Sequence, residues 1–255
     1  MTYLLEGKNL NKTFREKAKT TVALSGVNFC LNKGEILGVV GESGSGKSTL
    51  LKAIAGMLKL DQGSLFYNGT EYTGQKPRQT GHFLQMIFQD ANSSFDPRMS
   101  MEKSLMESGR KEKDPERIRQ LVQLVGLEEE LLQRKPAALS GGQCQRMAIA
   151  RAFYSDAEIL LCDEMTSALD VSTQARILEL LQDLKKAGRL SAVFVSHDIA
   201  LVSMLCDHIM VMKDGKCVEE GKTSEVIRNP SDEYTRALLE SAHRQSIQEP
   251  AECLR

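Results

Sequence analysis

The residues best suited to chemistry stand together at Gly41-Glu42-Ser43-Gly44-Ser45-Gly46-Lys47-Ser48-Thr49. Glycines let backbone N–H groups curl around phosphate oxygens with no Cβ in the way. A helix starting there points its positive end at the same anion. Lys47 can bridge the terminal phosphates of a nucleotide, and the Ser48 hydroxyl can ligate Mg²⁺. The flanks decide between this reading and a Gly/Ser turn that binds nothing. Ile36-Leu37-Gly38-Val39-Val40 reads as a buried strand, and Leu50-Leu51-Lys52-Ala53-Ile54-Ala55 has helix-forming composition with helical apolar spacing. A strand-to-helix turn is the context the G-x-x-x-x-G-K-[ST] pattern requires.

Other candidates follow further on. Ile159-Leu160-Leu161-Cys162-Asp163-Glu164 predicts a buried strand ending in two carboxylates, placed where open α/β sheets bind ligands. Asp163 suits the Mg²⁺ shell, directly or through water, and Glu164 suits a base that orients attacking water. A solvated pair in a loop is the plain alternative. Ala192-Val193-Phe194-Val195 predicts a strand that delivers Ser196-His197-Asp198. A lone histidine is usually structural, but one at a strand's end beside a phosphate site can hydrogen-bond the γ-phosphate. In Leu139-Ser140-Gly141-Gly142-Gln143, Ser140 is a candidate N-cap and the two glycines expose backbone donors. That describes a second anion cradle without a lysine, and equally an ordinary loop-to-helix junction. Phe14 can stack on an adenine ring or pack one face of a β-sheet.

The remaining elements are read from pattern. Strands are expected at Leu10–Phe14, Thr21–Leu24 and Val27–Leu31, with an Asn68-Gly69 hairpin signal and a short strand Met86–Phe88 running into Gln89-Asp90. From about Met101 to Lys135 the sequence turns charged and helix-favouring, with an apolar stripe Ile118, Leu121, Val122, Leu124 and Val125. A helix is expected over Ser172–Leu181, a strand and tight turn at Ile209–Lys216, and helix from Thr223 onward. The expected organisation is one domain over residues 1–245, with a helical subdomain at about 95–155 inserted in the α/β core and a loose tail at 246–255.

Composition narrows the class. The 255 residues are 41% hydrophobic and 26% charged, as in ordinary globular proteins. No apolar run approaches the ~20 residues needed to cross a bilayer, and the first six residues lack the pattern of a secretion signal. A net charge of −1 leaves no basic footprint for nucleic acid. The six cysteines, at 30, 144, 162, 206, 217 and 253, form no C-x-x-C pair, so free thiols in a reducing cytosol are expected.

Taken in order, from Leu4 to Leu239, these pieces resemble the ATP-binding subunit of an ABC transporter. Leu139-Ser140-Gly141-Gly142-Gln143, just before a helix and the Asp163-Glu164 strand, looks like that family's signature. The resemblance implies an α/β P-loop NTPase core with an N-terminal antiparallel β region and a small helical insertion. It implies ATP and Mg²⁺ as cofactors, Mg²⁺ being met by Ser48, Gln89 and Asp163, partly through water. Catalysis falls to Glu164, His197 and Lys47. Two subunits face head to tail, so Ser140, Gly141, Gly142 and Gln143 act on the ATP of the partner subunit. Gln89 matches the Q-loop, Asp170 the D-loop, His197 the switch histidine and Phe14 the adenine-stacking aromatic.

Three stretches resemble the oligopeptide/dipeptide/nickel importer branch: Met86–Asp90 running to Asp96–Met99, Thr166–Ser172, and Asn229-Pro230-Ser231-Asp232-Glu233-Tyr234-Thr235. The expected function is an ATPase subunit powering an importer of peptides or nickel/metal chelates. Its expected partners are a second ATPase subunit, identical or paralogous, membrane permeases and a solute-binding protein, and its expected place is the cytoplasmic face of the membrane. A non-transport ABC ATPase in an accessory enzyme or nucleic-acid complex, and a small-molecule P-loop kinase, are the rivals. The chain departs from the family pattern at Met165, where proline is usual, at Cys144 and at Cys162, and none of these removes a catalytic group. Only Cys253 lies in the tail, so the branch's C-terminal cysteine cluster is not expected here.

Overall fold

The computed structural model describes residues 2–16, 19–72, 80–81, 83–109, 113–166, 169–188 and 190–248. Its strands are β1 (Leu5–Glu16), β2 (Lys19–Leu31), β3 (Ile36–Val40), β4 (Gln62–Tyr67), β5 (Thr70–Tyr72), β6 (Leu84–Ile87), β7 (Ile159–Asp163), β8 (Ser191–Val195), β9 (His208–Lys213) and β10 (Lys216–Lys222). Its α-helices are α1 (Lys47–Ile54), α2 (Met101–Ser108), α3 (Pro115–Leu124), α4 (Gly141–Tyr154), α5 (Val171–Lys186), α6 (Ile199–Leu205), α7 (Thr223–Arg228) and α8 (Glu233–Gln248). They belong to two compact units, Met1–Gln75 with Val193–Arg255, and Lys76–Ala192.

In the first unit, β1 and β2 form a long antiparallel hairpin within a sheet of order β2-β1-β4-β5. The separate strands expected at Thr21–Leu24 and Val27–Leu31 are parts of one strand. Asn9 (φ 50°) and Gly26 (φ 64°) sit at successive shifts of the pairing register, so the turn-like residues bend the ladder as bulges and do not end it. The Asn68-Gly69 hairpin is present, with φ 49° and 75°, the signs a type I′ turn demands. The wholly buried β3 lies in the order β10-β9-β3-β8, parallel to β9. The stretch from Thr223 is two helices. Pro230 cannot extend α7, and Asn229 leaves helical geometry at φ −143°. Helix α8 runs to Gln248, while residues 249–255, with Cys253, lie outside the described residues.

In the second unit, β6 and β7 pair in parallel. Ser100 caps α2, and Asp114 caps α3 with Pro115 in its first turn. Of the expected α3 stripe, Ile118, Val122 and Val125 are buried, while Leu124 is 47% exposed. Residues at i, i+4 and i+7 share a face, whereas i+6 points away from it. Arg117 binds Asp156 and stacks on Tyr154, 5.5 Å from the ring centroid, tying α3 to the end of α4.

Cys144, Cys162 and Cys206 are buried small hydrophobes, and the described cysteines are free thiols. Burial pushes the Cys162 thiol up to about 12. Among the described residues, no helix is long and apolar enough to cross a membrane.

Candidate functional site

The phosphate loop joins β3 to α1 within the first unit. Gly41 (φ 147°), Gly44 (φ 83°) and Gly46 (φ 107°) adopt backbone shapes closed to most side chains. A Cβ on Gly41 would run into the Met212 carbonyl oxygen, and one on Gly46 into that of Ala23. Gly46 N-caps α1 and makes no side-chain cap, so the positive end of the helix opens on the loop. Lys47 is buried, and its ammonium donates to the carbonyls of Gly41 and Glu42, both at 2.8 Å. Its Nζ also stands 3.5 Å from Ser45 Oγ. The turn between β9 and β10, Asp214-Gly215, braces the loop: the Gly215 N–H donates to the Ser45 carbonyl at 3.0 Å. Ser43 and Gly44 are exposed, and Ser48 and Thr49 are half-buried.

Two further candidates belong to this unit. His197 is exposed immediately after β8, beside Ser196, whose N–H donates to the Val39 carbonyl at 3.3 Å. Asp198 caps α6, accepting the N–H of Ala200 at 2.8 Å. Phe14 is 40% exposed on β1, with the Lys12 ammonium 5.6 Å from its ring centroid, so its ring is not packed away against the sheet.

The second unit brings Gln89 and Glu164 together. Gln89 Nε2 donates to Glu164 Oε2 at 3.0 Å. Asp163 is buried at the end of β7 and Glu164 follows it in the left-handed region at φ 47°, an uncommon conformation that clusters at functional sites. The signature candidate is a capping box at the start of α4. Ser140 Oγ accepts the Gln143 N–H at 3.3 Å, and Gln143 Oε1 accepts the Ser140 N–H at 2.9 Å. Used this way as an acceptor, the Ser140 hydroxyl keeps its proton to donate. Gly141 is exposed, with nothing near its missing Cβ.

Asp170 caps α5, accepting the Ser172 hydroxyl at 2.7 Å and the Thr173 N–H and hydroxyl at 2.9 and 2.8 Å. These bonds, that of Ser172 first, hold its carboxyl far below the usual range. The neighbouring Ser167 and Ala168 lie outside the described residues.

Sequence reasoning missed Gln145. It is 2% exposed on α4, and its Nε2 donates to the carbonyls of Phe88 at 3.2 Å and Met165 at 3.1 Å. It therefore joins the neighbours of Gln89 and Glu164. A polar residue amid the buried Cys144, Met147 and Ala148 was the available signal. Arg151 acts nearby: its guanidinium donates to the Ser94 carbonyl and hydroxyl, both at 2.8 Å, and lies 4.1 Å from the Phe95 centroid. Burial lowers its pKa to about 10. Both tie α4 to the segment around Gln89.

The donor set fits a magnesium nucleotide. Within the first unit, the phosphate loop offers backbone N–H groups, the Lys47 ammonium and the Ser48 hydroxyl, a hard oxygen of the kind Mg²⁺ takes. Among the described residues, no cluster of three His, Cys, Asp or Glu could hold a metal ion by itself.

The sequence pattern described as ABC transporter matches residues 24–167. The oligopeptide transport ATP-binding protein OppF of Escherichia coli (strain K12) is 42% identical over 244 residues, covering 92% of this chain and 73% of that protein. The OppF of Bacillus subtilis (strain 168) is 38% identical, covering 92% and 81%. Among solved structures, the dimeric ATP-binding cassette MJ0796, in a post-hydrolysis state bound to ADP and Pi, superposes with a TM-score of 0.77. It is 30% identical and covers 86% of this chain and 98% of its own. The ADP conformation of the cassette MJ1267 gives a TM-score of 0.75 at 25% identity, covering 93% and 99%. The signature order along the chain, the geometry of its phosphate loop and these likenesses agree: the chain belongs to the ABC transporter family.

Proposed function

We propose that this chain hydrolyses ATP to power an ABC importer of oligopeptides, as a peripheral subunit on the cytoplasmic face of a membrane. The observation that carries the reading is the 42% identity, over 92% of the chain, to an oligopeptide transport ATP-binding protein. That likeness favours peptides over nickel or metal chelates, and transport over an accessory enzyme or nucleic-acid complex.

The loop N–H groups and Lys47 bind the phosphates. Glu164 takes the proton of the attacking water, a hydrolytic role that a kinase would not need. Gln89, bonded to the Glu164 carboxylate, orients that base and reports its state toward the membrane partner. His197 and Lys47 stabilise charge developing on the γ-phosphate. Magnesium would be held by Ser48, Gln89 and Asp163, partly through water, and would supply charge neutralisation at the phosphate oxygens. Ser140, with the N–H groups of Gly141 and Gly142, closes over the ATP of a second ATPase subunit, identical or paralogous. Gln143 keeps that corner in shape through its capping-box bonds. Asp170, fixed as the cap of α5, faces the same partner, and Phe14 stacks on adenine. Closure and reopening of the pair drive the permease subunits, which a solute-binding protein supplies with cargo.

The test is purification of the full chain from its native membrane, followed by reconstitution. Co-purification with integral membrane subunits, and ATP hydrolysis stimulated by a peptide-loaded binding protein, are expected. Co-purification with a soluble enzyme or nucleic acid, without membrane subunits, would overturn the reading.

A further inference from the structure

The C-terminal part of the first unit reaches the phosphate loop. The Glu42 N–H donates to the Tyr234 hydroxyl oxygen at 3.0 Å, across 192 positions of sequence. Tyr234 is held firmly where it stands. Asp232 Oδ1 accepts the N–H of Tyr234 at 2.8 Å and of Thr235 at 3.3 Å, which caps the start of α8. The turn before it is pinned to β10, where the Glu219 carboxylate accepts the N–H and hydroxyl of Ser231 at 2.8 and 2.7 Å and the N–H of Asp232 at 3.2 Å. The Lys213 ammonium lies 4.6 Å from the Tyr234 ring centroid, a cation–π contact from the end of β9.

The position of that bond gives it leverage. The Glu42 carbonyl accepts from the Lys47 ammonium at 2.8 Å, so one residue is tied to Tyr234 by its N–H and to the phosphate-binding lysine by its C=O. Gly215 holds the loop again at Ser45. We infer that Tyr234 is a positioning residue for the nucleotide site: its hydroxyl fixes Glu42 and thereby the carbonyl that steers Lys47, which makes the seating of α8 part of ATP affinity. The inference rests on the reading of this loop as the ATP phosphate site.

Tyr234→Phe tests it, keeping the ring and its Lys213 contact while deleting the hydroxyl. In the nucleotide-free full chain, amide hydrogen exchange at Glu42 should quicken about fivefold, as the loss of one hydrogen bond implies. Exchange along α8 should stay unchanged. The Kd for ATP with Mg²⁺, by calorimetry, should rise by about three- to tenfold. Unchanged exchange at Glu42 would overturn the inference, and so would faster exchange with unchanged affinity. A lowered melting temperature with neither change would make Tyr234 merely structural and overturn it too. Should the wild-type chain fail to bind ATP, the phosphate-site reading falls separately, and the exchange comparison still decides whether Tyr234 holds the loop.

Discussion

Gln145→Met would leave the carbonyls of Phe88 and Met165 without the amide donor they share. Methionine matches glutamine closely in length and volume, so packing around the 2%-exposed side chain changes little. What disappears is a pair of hydrogen bonds, at 3.2 and 3.1 Å. A buried polar group left without its partner costs about 1–3 kcal/mol. Phe88 is only part-buried, so the sum falls at about 2–4 kcal/mol. For a chain of this size, 1 kcal/mol corresponds to about 2–4 °C in melting temperature. Calorimetry should therefore find the variant lowered by about 4–16 °C. Because the two carbonyls adjoin Gln89 and Glu164, turnover at saturating ATP should also drop, by about tenfold. A variant melting within about 2 °C of wild type, with unchanged turnover, would refute the claim that Gln145 holds the segments of Gln89 and Glu164 in register.

Gly46→Ala places a Cβ against the Ala23 carbonyl at φ 107°. It should cost at least about 2 kcal/mol of stability and weaken ATP binding at least tenfold; calorimetric unfolding and ATP titration that both match wild type would contradict the cradle geometry. Ser140→Ala breaks the capping box and should cost about 1 kcal/mol, read as a melting temperature about 2–4 °C lower. An unshifted melting temperature would mean that the box bears no weight.

Much of the fold was legible because its signals are local. A buried β-branched run, a glycine loop and a helix former predicted β3, the phosphate loop and α1, and the two hairpin dipeptides, Asn68-Gly69 and Asp214-Gly215, carry the left-handed φ values that their types suggest. The β1–β2 hairpin was read as fragments because Gly26 looks like a turn in sequence and acts as a bulge in the ladder. Leu124 was drawn into the α3 stripe by composition, although its angle on the helix faces away from Ile118. Within the site, chemistry and spacing marked the residues of the loop, the capping box and the carboxylate pair. The Tyr234 bond to Glu42 and the two bonds of Gln145 were hidden because they are made by tertiary packing between distant segments. No local pattern encodes them.

The most direct measurement is phosphate release from ATP and Mg²⁺ by the full chain, with Glu164→Gln beside it. If Glu164 is the base, the variant should still bind ATP while losing at least about 100-fold in turnover, close to 2.7 kcal/mol in barrier. Turnover within about tenfold of wild type, with ATP bound normally, would contradict the assignment of Glu164 and the hydrolytic mechanism built on it.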